Sequence, residues 1–131
     1  MIISRRSLSL FVAAFVVVAP PAFAAPGDRA IDDVRILSAD DMQGRGAGAP
    51  GSEKARAYIL ARFDAIGLSP VGDRFEQGFS YKRRDGSTVQ GVNLVARITG
   101  AQPGKAMVVT AHYDHLGVRN GEIYNGADDN A

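Results

Sequence analysis

Met107-Val108-Val109, inside the segment Ala106 to Thr110, constrains the fold more than any other stretch. A strand with one face in water alternates apolar and polar residues, whereas a nearly continuous apolar run fits a strand covered on both faces, as in an α/β sheet. The run leads directly into Ala111-His112-Tyr113-Asp114-His115. In sheets of that kind ligands collect in crevices at the carboxyl ends of strands, so position as well as residue type marks His112 and Asp114. In an extended H-x-D, the two-residue period puts imidazole and carboxylate on the same side. One of them can then bind a metal while the other orients the ring through its second nitrogen.

The preceding residues supply helices and then change period. Ala30, Ile31, Val34 and Leu37 fall on one face of a short helix with Asp28 available as N-cap. A clearer helix opens with Ser52 as N-cap and carries the stripe Ala55, Tyr58, Ile59, Phe63 and Ile66, with Gly67 at the left-handed C-terminal position and Pro70 preventing continuation. Tyr58 reads as core packing. Between the helices, Gly44-Arg45-Gly46-Ala47-Gly48-Ala49-Pro50-Gly51 lacks the Lys-Ser/Thr of a phosphate-binding loop and follows no strand pattern, so it reads as a flexible surface connection. Further on, Phe79 to Lys82 and Thr88 to Val89 flank Asp85-Gly86, a strong hairpin signal, and Lys82-Arg83-Arg84 beside it reads as solvated charge. Val92 to Ile98 and Ala106 to Thr110 are the next strands, with a connection short enough for antiparallel pairing. Helices upstream and a strand whose apolar run asks for cover on both faces fit an α/β fold.

Composition excludes several classes. With 46% hydrophobic and 22% charged residues, the 131-residue chain is ordinary globular material for one domain at most. It has no cysteine, which rules out a thiolate zinc site, a disulfide framework and a lipid-modified N-terminal cysteine. The formal charge is +1, and removal of Arg5 and Arg6 with a leader would leave 13 basic against 14 acidic residues. That balance gives no electrostatic case for nucleic acid.

Residues 1–24 read as a signal peptide. Arg5-Arg6 form a basic start, Leu8 to Ala19 an apolar stretch of twelve, and Ala22-Phe23-Ala24 a small-x-small cleavage pattern. A membrane-spanning helix needs about 20 residues, so no stable membrane anchor is expected after cleavage. Export to the periplasm or the medium follows, by the general secretory route or, since Ser4-Arg5-Arg6-Ser7-Leu8 resembles a twin-arginine signal, by that one.

The remaining motif is Asn125-Gly126-Ala127-Asp128-Asp129-Asn130-Ala131. Together with His112 and His115 it gathers both histidines and a set of carboxylates near the end of the chain. Imidazole and carboxylate are ligands that zinc accepts, and a catalytic site needs them to converge. Ala111-His112-Tyr113-Asp114-His115-Leu116-Gly117 and Asn125 to Ala131 resemble, in this order, the two early metal-site motifs of the secreted co-catalytic dizinc aminopeptidases, the family of bacterial leucyl aminopeptidases and aminopeptidase Y. Weaker similarity runs back through Val92-Asn93-Leu94-Val95-Ala96, the Gly67-Leu68 helix end and Gly44-Arg45-Gly46.

The resemblance implies a three-layer α/β/α sandwich around a mixed, mainly parallel central sheet, with residues 25–131 as the N-terminal part of a catalytic domain truncated after the early strands. It implies two zinc ions, with His112 a terminal ligand of one and Asp129 a carboxylate bridging both. Asp114 would orient His112, Asp128 and Asn130 would shape the loop, and His115 would not be a ligand. Peptides would lose N-terminal residues to a water held between the metals and activated by a glutamate. That glutamate, a zinc-binding glutamate, an aspartate and a histidine are expected after Ala131, so the chain by itself is expected to be inactive.

Two other readings compete. Thr110-Ala111-His112-Tyr113-Asp114-His115 resembles the H-x-H-x-D-H signature of metallo-β-lactamase-fold hydrolases with Thr110 in place of the first histidine. That lost ligand, the helical patterns upstream and the Asp128-Asp129 loop count against it. A non-catalytic exported binding module on the same fold is the other.

Overall fold

The computed structural model describes residues 26–131, and the signal-peptide reading of residues 1–24 lies outside them. The element order is α1 (Pro26–Leu37), a 3-10 segment (Asp40–Arg45), α2 (Pro50–Ala65), β1 (Ser69–Pro70), β2 (Glu76–Lys82), β3 (Thr88–Leu94), β4 (Ala96–Arg97), β5 (Gly117–Arg119) and β6 (Glu122–Tyr124). The fold is mixed α/β. Its sheets are two-stranded and antiparallel, pairing β1 with β4, β2 with β3 and β5 with β6. A single parallel contact joins Gly46 to His115 as an isolated bridge. None of the described helices is long and apolar enough to cross a membrane.

The clear helix forms as its stripe requires, but starts earlier than expected. Pro50 takes the first helical position with Ala49 as N-cap, so the expected cap Ser52 lies instead inside the first turn and is buried. A proline whose φ is already helical sets the start without needing a side-chain cap. At the other end Gly67 N–H donates to Asp64 O at 3.0 Å and Leu68 N–H to Phe63 O at 2.9 Å, the paired bonds of a Schellman stop. Ala55 is fully buried and joins Leu37 and Met42 in a small core, against which Tyr58, Ile59 and Tyr113 pack.

Of the α1 face only Leu37 is buried, while Ala30 and Ile31 are exposed. Polar contacts tie α1 to α2 as well, because Asp33 Oδ1 accepts from Tyr58 Oη at 2.5 Å and from Arg62 Nε at 3.1 Å. Phe63 on α2 meets Phe75 edge-on at 5.6 Å between ring centroids, and Arg56 pairs with Glu76 at 2.9 Å, so the helix rests on the base of the β2–β3 hairpin.

That hairpin forms around Asp85-Gly86, with Lys82 opposite Thr88. Asp85 Oδ1 accepts from Ser87 N and Ser87 Oγ at 2.9 and 2.7 Å. These bonds to the ionised side chain hold the Asp85 carboxyl below its usual range.

The next strand pair differs from expectation. Val92 to Ile98 is divided between two partners, since residues up to Leu94 pair with β2 while Ala96 and Arg97 pair with Ser69 and Pro70. Ala106 to Thr110 forms no strand and is exposed, Met107 to 89%. A run of this kind forms a strand only when covered on both faces, and none of the described elements covers Met107–Val109.

Candidate metal centre

Two loops that are far apart in local sequence meet because a hairpin lies between them. β5 and β6 pair Val118 with Ile123 and Arg119 with Glu122 around Asn120-Gly121, both at positive φ, which is the geometry of a tight primed turn. The chain therefore returns on itself, and the residues before β5 face those after β6. His112 Nε2 stands 3.1 Å from Asp129 Oδ1, and His115 Nδ1 stands 3.5 Å from Asp129 Oδ2. The Asp129 carboxylate lies between both imidazoles of the chain.

Asp114 is near His112 as well, though not in the way an orienting carboxylate would be. His112 Nδ1 is 2.9 Å from the Asp114 backbone oxygen and 3.6 Å from Asp114 Oδ1. In this arrangement the carbonyl holds the second ring nitrogen and the carboxylate stays outside hydrogen-bond range. His112, Asp114 and Asp129 are half exposed, and they line a cavity of about 300 Å³ with His115 and, on its rim, Tyr81, Arg83 and Arg119. Gly126 lets the second loop approach, since a Cβ there would come within 2.6 Å of the His115 ring.

Beneath these side chains lies a residue that reading the sequence had placed on a flexible surface. Arg45 is 0% exposed. Its Nε donates to Tyr113 O at 2.8 Å, Nη1 to Leu37 O at 2.5 Å and Asn125 O at 2.8 Å, and Nη2 to Gly126 O at 2.9 Å. Thus the Gly44-Arg45-Gly46 segment is an anchor for both motifs and not a free connection. Gln43, Gly44 and Arg45 all take positive φ, and a Cβ on Gly44 would sit 2.4 Å from Tyr124 O, so glycine is what lets the backbone reach the hairpin. His115 N–H donates to Arg45 O at 3.3 Å and completes the junction.

Burial lowers the Arg45 pKa from its usual value, and the charges of Asp114 and Asp129 oppose that effect. A guanidinium nonetheless stays protonated in proteins, so a fixed positive charge lies behind the carboxylates. Tyr113, between His112 and Asp114, turns inward, donates from Oη to Val92 O at 2.7 Å and packs on the core. Its burial pushes the phenol up.

The donor chemistry fits zinc. Two ligands about 2.0–2.1 Å from one tetrahedral zinc stand about 3.3 Å apart, close to the separation of His112 Nε2 and Asp129 Oδ1. No group of three or more candidate ligands converges among the described residues. No curated protein and no solved structure gives a significant match to the chain. Residues 93–131, the part that carries both motifs, match the model of peptidase family M28, a family of co-catalytic zinc peptidases, in agreement with the resemblance carried by His112-Tyr113-Asp114 and Asn125 to Ala131.

Proposed function

We propose that the chain is part of an exported, zinc-dependent aminopeptidase that removes N-terminal residues from peptides. The observation that carries this reading is the 3.1 Å approach of His112 Nε2 to Asp129 Oδ1, made within the segment that matches the zinc peptidase family. In this reading His112 would be a terminal zinc ligand and Asp129 would be the carboxylate shared by the two ions. Asp114 would orient His112, whose Nδ1 lies 2.9 Å from the Asp114 backbone oxygen and 3.6 Å from its carboxylate. When bound, zinc supplies Lewis acidity for the peptide carbonyl and a nucleophile at neutral pH. Residues 93–131 take their place at the strand ends of a three-layer sandwich with a mainly parallel sheet. Residues 1–24 act as the export signal.

His112 and Asp129 provide fewer protein ligands than the three or four a zinc site takes, so residues 25–131 alone are expected to turn over no peptide. The test is hydrolysis of aminoacyl anilides by the full-length gene product with and without a chelator, alongside zinc content. Chelator-sensitive release from the N-terminus, abolished with the zinc pair by Asp129→Ala, is the expected result. Asp114→Asn should keep much of the metal while lowering affinity or activity by about 10 to 100-fold. Activity indifferent to chelator, or full zinc occupancy in Asp129→Ala, contradicts the reading.

A further inference from the structure

We propose that Arg45 is the positioning residue of this metal centre, and that its guanidinium sets the separation between the His112 and Asp129 loops. The inference rests on the zinc reading above, and its argument is geometric. Of the four carbonyls that Arg45 binds, Tyr113 O lies one residue after His112, while Asn125 O and Gly126 O lie four and three residues before Asp129. The fourth, Leu37 O, belongs to the end of α1 and fixes the guanidinium to the small core. One planar group therefore holds both ligand-bearing loops and references them to the same rigid point.

Arginine suits that task for a reason lysine does not share. Its donors form a rigid fork in one plane, so four acceptors held by it keep fixed mutual positions. An ammonium is a point with three rotatable donors, and cannot hold four carbonyls in that pattern. The side chain is fully buried, so no water replaces a missing bond without the loops shifting. Arg45 touches neither the His112 imidazole nor the Asp129 carboxylate. It acts on them through the backbone, as supporting groups act on metal ligands elsewhere.

The test uses the full chain and two variants, Arg45→Lys and Arg45→Ala. His112 and His115 are the only histidines, so their ring protons give a simple imidazole spectrum. In the metal-free protein a nuclear Overhauser effect between the His112 ring and the Asp129 β-protons reports their approach directly. Arg45→Lys is expected to lose that effect in this chain with the helical circular dichroism unchanged and, in the full-length gene product, to weaken zinc binding by about 10 to 100-fold. In Arg45→Ala, millimolar ethylguanidinium is expected to restore the His112–Asp129 effect, and ethylammonium to fail.

If Arg45→Lys keeps both the Overhauser effect and the zinc affinity, the positioning role is overturned. If it loses the helical signal along with them, Arg45 holds the fold as a whole and the proposal is again overturned. Ethylammonium rescue equal to that of ethylguanidinium would assign the effect to charge and not to the fork, with the same consequence. Absence of any zinc binding by the full-length gene product sinks the peptidase reading, while the metal-free measurement on this chain still decides the role of Arg45.

Discussion

Arg45 and the Met107–Val109 run exchange the places that their side chains suggest. The most polar side chain in the protein's repertoire is 0% exposed, while three consecutive apolar residues are exposed to 89, 81 and 85%. Each of those apolar side chains would gain about 1.5–3 kcal/mol from full burial, yet none of the described elements covers them, and they lie open along a broad apolar groove with Ile59, Phe63 and Phe79. Arg45 loses hydration but recovers it from four carbonyls. Burial here follows the supply of partners more closely than it follows polarity.

The sharpest way to break this contrast is to remove the guanidinium. Arg45→Ala leaves four acceptors without their donor and should cost on the order of 4 kcal/mol, measured by urea unfolding of the chain. A cost under about 1 kcal/mol would mean that water satisfies those carbonyls and that the site is not closed. Tightness on the same side is probed by Gly51→Ala, whose Cβ would meet Met42 O at 1.8 Å. Pushing the 3-10 segment off α2 should lower stability by about 3 kcal/mol. A fully tolerated alanine would show that the contact relaxes freely.

Tyr113 offers a smaller and pH-dependent effect. Burial raises its pKa, so its contribution to stability is complete below the unfolded value near 10 and is lost as pH rises through the higher folded value. Tyr113→Phe removes the bond to Val92 O, should cost about 1 kcal/mol at neutral pH, and should reduce the alkaline loss of stability. An unchanged alkaline limb would assign that loss to other groups. The smallest effect belongs to the exposed run, where Val108→Ser should change stability by less than about 0.5 kcal/mol. A loss above about 1.5 kcal/mol would place Val108 in a packed interior and erase the contrast altogether.

What could be read in advance divides along the same line. The Gly67 stop and the Asp85-Gly86 hairpin depend on neighbours a few residues away and appear where the local chemistry puts them, while the α2 stripe is buried at Ala55 and ends in an exposed Ile66 at the C-cap. The meeting of His112 with Asp129 is what the family resemblance of their two motifs implies, and the Asn120-Gly121 turn that produces it is a local hairpin signal. Arg45 was not legible from spacing or composition. Its acceptors lie 68 to 81 residues further along, apart from Leu37, and nothing local distinguishes such an arginine from a solvated one. Its glycine neighbours were the available clue, because glycine beside a charged residue marks close backbone approach as readily as flexibility. The Ala106–Thr110 strand failed for the converse reason, since a run of β-formers states what a segment prefers when paired and not which edge will pair it.

The β2–β3 hairpin has a dynamic consequence. Every residue of β2 is exposed, its ladder is made with β3 alone, and Phe79 covers Gly91 across it. A two-stranded hairpin of this kind is marginal by itself, so its amides should exchange with solvent through local opening, well below the free energy of global unfolding. Tyr81 and Arg83, on the rim of the cavity, ride on that hairpin, while the carbonyls bound to Arg45 belong to its floor. Wall and floor therefore keep different clocks: deuterium should enter the rim early and the Arg45-bound loops late, so that the mouth of the cavity breathes over a base that stays still.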